Sequence, residues 1–399
     1  MIKNLLVSLL AILPAICMAA NGDTFTANLN SGNQESTVTV TFTVVSEFNS
    51  TAQVGDGTAI QLNAENVAVP AKIINGETGK TYKVTTIGEN AFANAEAATL
   101  EIPTSVTTIK AHAFAGSKID ALWIRAEKIT AWGNESFKNI DADSKVFVPV
   151  AEWNTMLNAT KLNKENVQPF MEMKDYYLTF SLDQKFMIAD FVAYDPNNNY
   201  QQTDNTLQAF AFGNYDAENK VVKDMNVTHK IIPAYSGVLL RSEKLGICYA
   251  VKPYEDQDAE TAFTVEENLL KGSGDAKFNM DAVQNLCKLH QYYVFTFKEG
   301  KYAFWRCSGG NLSMYKGYLN LGGDFGPYGI YDIDFETDAV DDYVAPIKAA
   351  DNTLTAINAL DEKNAENNEA WYTLQGVRLT SAPTATGIYV HKGKKIVVK

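Results

Sequence analysis

Polar and apolar side chains alternate along Ser36–Val45, where Val38, Val40, Phe42 and Val44 are separated by Thr39, Thr41 and Thr43. A period of two is what a half-buried strand requires, because successive side chains of an extended chain point to opposite faces. The pattern predicts strands over residues 21 to about 66, with a turn at Gly55-Asp56-Gly57. From Val84 the period lengthens. Val84 and Val106, Ile87 and Ile109, and Phe92 and Phe114 are each 22 residues apart, and Phe114 and Phe137 are 23 apart. A recurrence of that length marks a solenoid, in which every unit is one turn of chain.

Each unit carries the same parts. A V-T-x-I turn leads to an Ala-Phe pair (Ala91-Phe92, Ala113-Phe114), and a short strand follows, holding Leu100 and Ile102, then Leu122 and Ile124, then Val146 and Val148. Stacked turns would set like residues in columns: Phe92, Phe114 and Phe137; Ile87, Ile109 and Trp132; Ile102, Ile124 and Val148. One turn cannot cover its own apolar edge, so each copy is stabilised by the next. Val67-Ala68-Val69-Pro70 echoes Leu100-Glu101-Ile102-Pro103 and predicts an earlier strand, so the solenoid is expected to begin near residue 60. Val150 to Asn163 reads as a short helical cap around Trp153, Met156 and Leu157.

The sequence V-T-x-I-x-x-x-A-F followed by L-x-I-P resembles the BspA-type leucine-rich repeat of Bacteroidetes surface proteins, over roughly residues 60 to 165. The resemblance implies a β-solenoid, a cell-surface location and adhesion to host or microbial ligands. Only three units are evident from the spacing, which is little surface for a broad adhesive face.

Residues 171 to 342 change character. Tyr176-Tyr177-Leu178-Thr179-Phe180, Ala209-Phe210-Ala211-Phe212, Gly237-Val238-Leu239-Leu240 and Tyr292 to Phe297 are short strand-like runs separated by turn signals. Lys298-Glu299-Gly300-Lys301 joins the last of them to Tyr302-Ala303-Phe304-Trp305 as a hairpin. Strands at such spacing predict a β-sandwich-like domain. Residues 343 to 369 read as a linker rich in Ala, Asn, Asp and Glu. Residues 370 to 399 contain Leu374-Gln375-Gly376, Gly387-Ile388-Tyr389 and a basic last strand, and resemble a type IX secretion C-terminal sorting domain. That resemblance implies passage through export machinery; the plainer reading of the same residues is a terminal β-hairpin.

The amino terminus bears on the same question. Lys3 precedes an apolar run from Leu5 to Ile16 interrupted by Ser8, and Met18-Ala19-Ala20 supplies small residues. A membrane-spanning helix needs about 18 or more apolar residues, so residues 1 to 20 are read as a cleaved signal peptide. Acylation of Cys17 is disfavoured by Ile16 before it. The expected location is the cell surface or the extracellular space, and the periplasm if the tail is not a sorting signal. Without Cys17 three cysteines remain, Cys248, Cys287 and Cys307, which allow one bridge at most and show no metal-ligand spacing.

Composition narrows the function further. The chain is 46% hydrophobic and carries a net charge of -13, which works against a phosphate-binding surface, so no nucleic-acid partner is expected. Six acidic residues between Asp332 and Asp342 lack the glycine and terminal glutamate of an EF-hand loop and are read as solvated, with no metal. No G-x-S-x-G elbow, phosphate loop or H-E-x-x-H helix is present, and no cofactor is expected. The chain is therefore read as non-catalytic, with a glycosidase kept as a minor reading because its carboxylates meet only in the fold.

Recognition then has to rest on exposed side chains. Strand alternation turns Glu101, Trp123, Arg125, Lys145 and Phe147 away from the repeat core, and an aromatic and arginine patch is what protein-binding hot spots favour. The competing reading is that neighbouring chain covers Trp123 and Phe147. Tyr293, Phe295 and Phe297 share a face that is most simply core, although flat rings there would also suit a glycan. The fold expected is mostly β: a short leucine-rich-repeat solenoid within residues 21–165, a sandwich-like domain and a small C-terminal β-module. Its expected partner is a host or microbial surface protein, with a glycan held by the middle domain as the second reading and a structural envelope component as the third.

Overall fold

The computed structural model describes residues 19–31, 38–62, 64–216, 218–273, 278–279, 292–298, 300–306, 311–312, 314–321, 330–334, 371–373, 378–379, 387–391 and 394–398. Expectations for residues 1–18, for the acidic residues from 335 onward, for the linker and for Cys287 and Cys307 lie outside the described residues.

The alternating amino-terminal segment is extended as its pattern requires. Thr24–Ser31 and Val38–Ser46 pair antiparallel, with Phe25 opposite Phe42 and Ala27 opposite Val40. Phe25, Leu29, Val38, Val40, Phe42 and Val44 are buried, while Thr24, Thr26 and Thr39 face solvent. The end of Thr24–Ser31 also pairs with Asn66–Ala68, so one strand joins two ladders.

Through the repeats those ladders are parallel, with Lys72–Ile74 added antiparallel beside Thr81–Ile87. One runs through Thr51–Val54, Thr81–Ile87, Thr108–Ile109 and Ala131–Trp132, and sets Ile87 beside Ile109 and Ile109 beside Trp132. The other runs through Asn66–Ala68, Glu96–Ile102, Lys118–Ile124, Lys145–Pro149 and Val167–Glu172, and aligns Leu100, Leu122, Val146 and Val167. Between them the rings of Phe92, Phe114 and Phe137 stack at 5.7 and 5.2 Å, within 12° and 10° of parallel. The predicted aromatic and Ile87 columns are therefore present. Successive turns approach closely where the chain leaves the first ladder: a Cβ on Gly133 would lie 2.1 Å from the Lys110 carbonyl carbon, which only glycine avoids.

The repeat also imposes left-handed backbone at fixed positions. Asn90, His112 and Glu135 occupy one such position with φ of 56°, 55° and 51°, and Asn94, Gly116 and Asn139 another with 55°, 67° and 55°. Asn and Gly adopt that region cheaply, which accounts for their recurrence along the repeat. Past the last repeat Val150–Glu152 forms a turn of 3-10 helix and Trp153–Thr160 an α-helix that buries Trp153 and Met156, the expected cap.

The cap does not end the sheet. Val167–Glu172 pairs in parallel with Lys145–Pro149 and is followed by Cys248–Ala250, Val192–Asp195 and Gln201–Thr203, all antiparallel. A second, nine-stranded sheet orders Tyr177–Phe180, Val238–Ser242, Leu207–Asp216, Val221–Asn226, Ile330–Asp334, Lys301–Arg306, Tyr292–Lys298, Gly317–Asn320 and Leu270–Gly272. It curls until its ends meet, with Gly237 N donating to Leu270 O at 2.9 Å. Met171, Ala193 and Tyr249 from the first sheet pack against Phe180, Leu207, Val238 and Leu240 from the second. Within the curled sheet Tyr293 and Phe304 are fully buried and Phe295 packs beside them, so these rings serve as core and not as a sugar platform. Four carboxy-terminal strands, Trp371–Thr373, Arg378–Leu379, Gly387–His391 and Lys394–Val398, pair with one another as a separate antiparallel sheet.

Candidate binding surface

Alternation places Glu101, Trp123 and Phe147 side by side on the face turned away from the repeat core, as expected. Their exposure is corrected by the structure: Trp123 is completely buried and Phe147 is 5% exposed. The hairpin of Val192–Asp195 and Gln201–Thr203 folds over the face. Trp123 lies between Phe147 and Tyr200, with ring centroids 3.9 and 4.1 Å away, and Tyr194 meets both Trp123 and Phe147 edge-on at 5.3 Å. Phe170, Cys248 and Ala250 complete the cluster. The driving force is the apolar area of the stacked rings, about 1.5–3 kcal/mol for each large side chain taken out of water.

Arg125 belongs to the same closure. Its Nη2 pairs with Glu172 at 2.7 Å, its Nη1 lies 3.6 Å from Glu101 and donates to the Tyr200 hydroxyl at 3.0 Å. Burial pushes the Tyr200 phenol upward and keeps it neutral. Burial likewise pushes the Cys248 thiol up to about 12, outweighing the opposing charge of Arg125, and Cys248 is a buried thiol with no disulfide among the described residues. Of the five expected residues Lys145 stays exposed, its ammonium donating to the Glu165 carbonyl at 2.8 Å, and Glu101 is half-buried at the edge of the closure. Four of the five are thus brought together as an internal seam. The nearest sequence signal for it was the pair Tyr194 and Tyr200 around a Pro-Asn turn, which does not say where its rings dock.

The side chain that does stand out is Phe48, 95% exposed, with Val45 at 42% and Ile74 at 58% on the same amino-terminal strands and their neighbour. Its turn is built from both ends. Glu47 N donates to Asn21 Oδ1 at 2.7 Å, Ser50 N donates to Glu47 O at 3.3 Å, and Ser50 adopts φ of 52°. Lys80 Nζ donates to both the carbonyl and the carboxylate of Glu47, at 2.8 and 2.6 Å, and the Tyr82 hydroxyl takes the other carboxylate oxygen at 2.6 Å. The hydrogen bonds from Lys80 and Tyr82 hold the Glu47 carboxyl below the usual carboxylate range. Burial, then Glu47, pushes Tyr82 up to about 12. Phe48 was missed because strand alternation stops at Val45; its signal was an aromatic ring in a turn, where polar residues usually serve.

Residues 78–163 match the family model of the BspA type leucine rich repeat region, in six copies. The match begins later than residue 60 and counts more copies than the three units read from the spacing. No curated protein and no solved structure matches the chain. Leucine-rich repeats of this type suggest a surface or adhesion-type protein, and such repeat families are typically non-catalytic. Among the described residues no cluster of three or more His, Cys, Asp or Glu side chains is arranged to hold a metal.

Proposed function

We propose that the protein is an exported, non-catalytic recognition molecule. Its leucine-rich repeats form a short, rigid solenoid, and a surface protein of a host or neighbouring microbe is gripped at the Phe48 turn. The observation that carries this reading is the 95% exposure of Phe48 on a turn held by Asn21, Lys80 and Tyr82. An exposed aromatic on a preorganised loop loses little conformational freedom on binding, which is how hot-spot residues gain affinity. The buried Trp123 seam serves the frame.

Beads coated with residues 21–399, unaltered or carrying Phe48→Ala, test it on panels of host and bacterial surfaces. A hot spot of about 2 kcal/mol or more lowers affinity roughly 30-fold, so the variant is expected to lose most attachment. Equal attachment of both proteins to every surface rejects the Phe48 reading. Export is tested separately by protease shaving of intact cells, with a control lacking residues 370–399. Shaving of the full chain and intracellular retention of the control support a sorting tail. Protection of both inside the envelope favours a periplasmic role.

A further inference from the structure

A cleft of about 630 Å³ opens where the helical cap meets the curled sheet, on the side of Arg125 bearing Glu172. That volume is ordinary for a small-molecule site. Its walls are mainly apolar, with Val150 from the cap, Met171 from the shared sheet, and Leu178, Phe180 and Met314 from the second sheet and its loops.

Four cations, Arg125, Lys128, Lys174 and Lys316, and four carboxylates, Glu127, Glu152, Glu172 and Asp175, line the cleft, but they are not paired one to one. Arg125 is held by Glu172 at 2.7 Å and Lys174 by Glu127. Glu152 accepts from Ile129 N at 3.3 Å, and Asp175 accepts from the Tyr302 hydroxyl. Two cations lining the cleft, Lys128 and Lys316, have no ion pair among the described residues. Lys128 is exposed, but Lys316 is half-buried. The backbone of Lys316 is also pinned: its N donates to Ser273 Oγ at 3.0 Å and its carbonyl accepts from Ser181 Oγ at 3.1 Å. The preceding Tyr315 is held at φ of 58°, a conformation costly for an aromatic residue. Glu127 attracts Lys316 but is already paired with Lys174, so this half-buried ammonium has no ion pair of its own among the described residues, a cost in free energy that an anion would recover.

We propose that this cleft binds an amphipathic anion, a carboxylate carried on an alkyl chain, with the carboxylate at Lys316 and the chain among Val150, Met171, Leu178, Phe180 and Met314. Burial, and then the neighbouring charge of Lys174, push Lys316 down to about 8 against the weaker opposing pull of Glu127, so its charge is present at pH 7 and declines toward pH 10. Arg125, Lys174, Glu127, Glu172, Glu152 and Asp175 face the same space and are already engaged as described.

The test is calorimetric titration of residues 21–399 with dodecanoate, dodecanol and dodecyltrimethylammonium, each below its micellar concentration. At pH 7 dodecanoate is expected to bind at least about tenfold tighter than dodecanol, a gap of 1.4 kcal/mol, and the ammonium more weakly than either. The gap is expected to narrow between pH 7 and 10 and to close in Lys316→Met, while dodecanol binding persists. Equal affinity for dodecanoate and dodecanol, tighter binding of the cation, or an undiminished carboxylate preference in K316M overturns the proposal. The wild-type comparison decides the matter even if K316M is unstable. None of these outcomes bears on the Phe48 reading, because the cleft and the turn share no residue.

Discussion

A phenylalanine held in water forgoes the stabilisation it would gain by burial, so Phe48 contributes little to the fold. Phe48→Ala is therefore expected to change unfolding free energy by no more than about 0.5 kcal/mol, as read from chemical denaturation. A larger loss would mean that the ring packs in solution. Cys248 is the opposite case. Its thiol is pushed up to about 12, so at pH 8 almost none of it is thiolate, the form that reacts. With Cys287 and Cys307 replaced by Ser in residues 21–399, the remaining thiol is expected to resist iodoacetamide at pH 8 until the protein is denatured. Ready alkylation of the folded protein would contradict the burial of Cys248.

At the scale of the repeat, an element is stabilised by its copies. Phe114 is stacked on both sides, by Phe92 at 5.7 Å and Phe137 at 5.2 Å, so removing its ring leaves a cavity that neighbouring turns cannot fill without breaking register. Phe114→Ala is expected to cost about 3–5 kcal/mol, measured by urea unfolding. The left-handed positions predict a gain in the other direction. Glu135 sits at φ of 51° where Asn90 occupies the equivalent site, and its contact with His112 and its ion pair with Lys138 are exposed. Exposed pairs contribute little, so the backbone effect should win, and Glu135→Asn is expected to raise the melting temperature. A fall would show that those pairs outweigh the strain.

On the scale of the whole molecule, one sheet runs from the repeats into the strands that follow, and Trp123 is clamped between Phe147 of a repeat and Tyr200 of the hairpin. Such sharing couples the two parts. Repeat and hairpin are expected to unfold at the same denaturant concentration, followed by hydrogen exchange within residues 96–124 and 192–203. Trp123→Ala should lower that common midpoint by the equivalent of about 3–5 kcal/mol. Two well-separated transitions in the unaltered protein would show that the seam does not couple them.

Much of the repeat was legible in the sequence. The 22- and 23-residue spacings align the Phe92, Phe114 and Phe137 column, alternation marks the buried side of Val38–Ser46, and the segment after Val148 supplies the cap. These features are local or recur at a fixed period, so the order of side chains along the chain states which ones point the same way. Alternation also turned Glu101, Trp123 and Phe147 correctly to the face opposite the repeat core. What lies against that face is a different matter, because its cover comes from distant chain: Tyr200 is 75 residues beyond Arg125, whose guanidinium it meets. No period connects them. Only the tertiary structure decided that the expected binding patch is an internal seam, that Phe48 is left in water, and that Lys316 faces a cleft with no ion pair among the described residues, since each depends on which surfaces meet when separate elements pack.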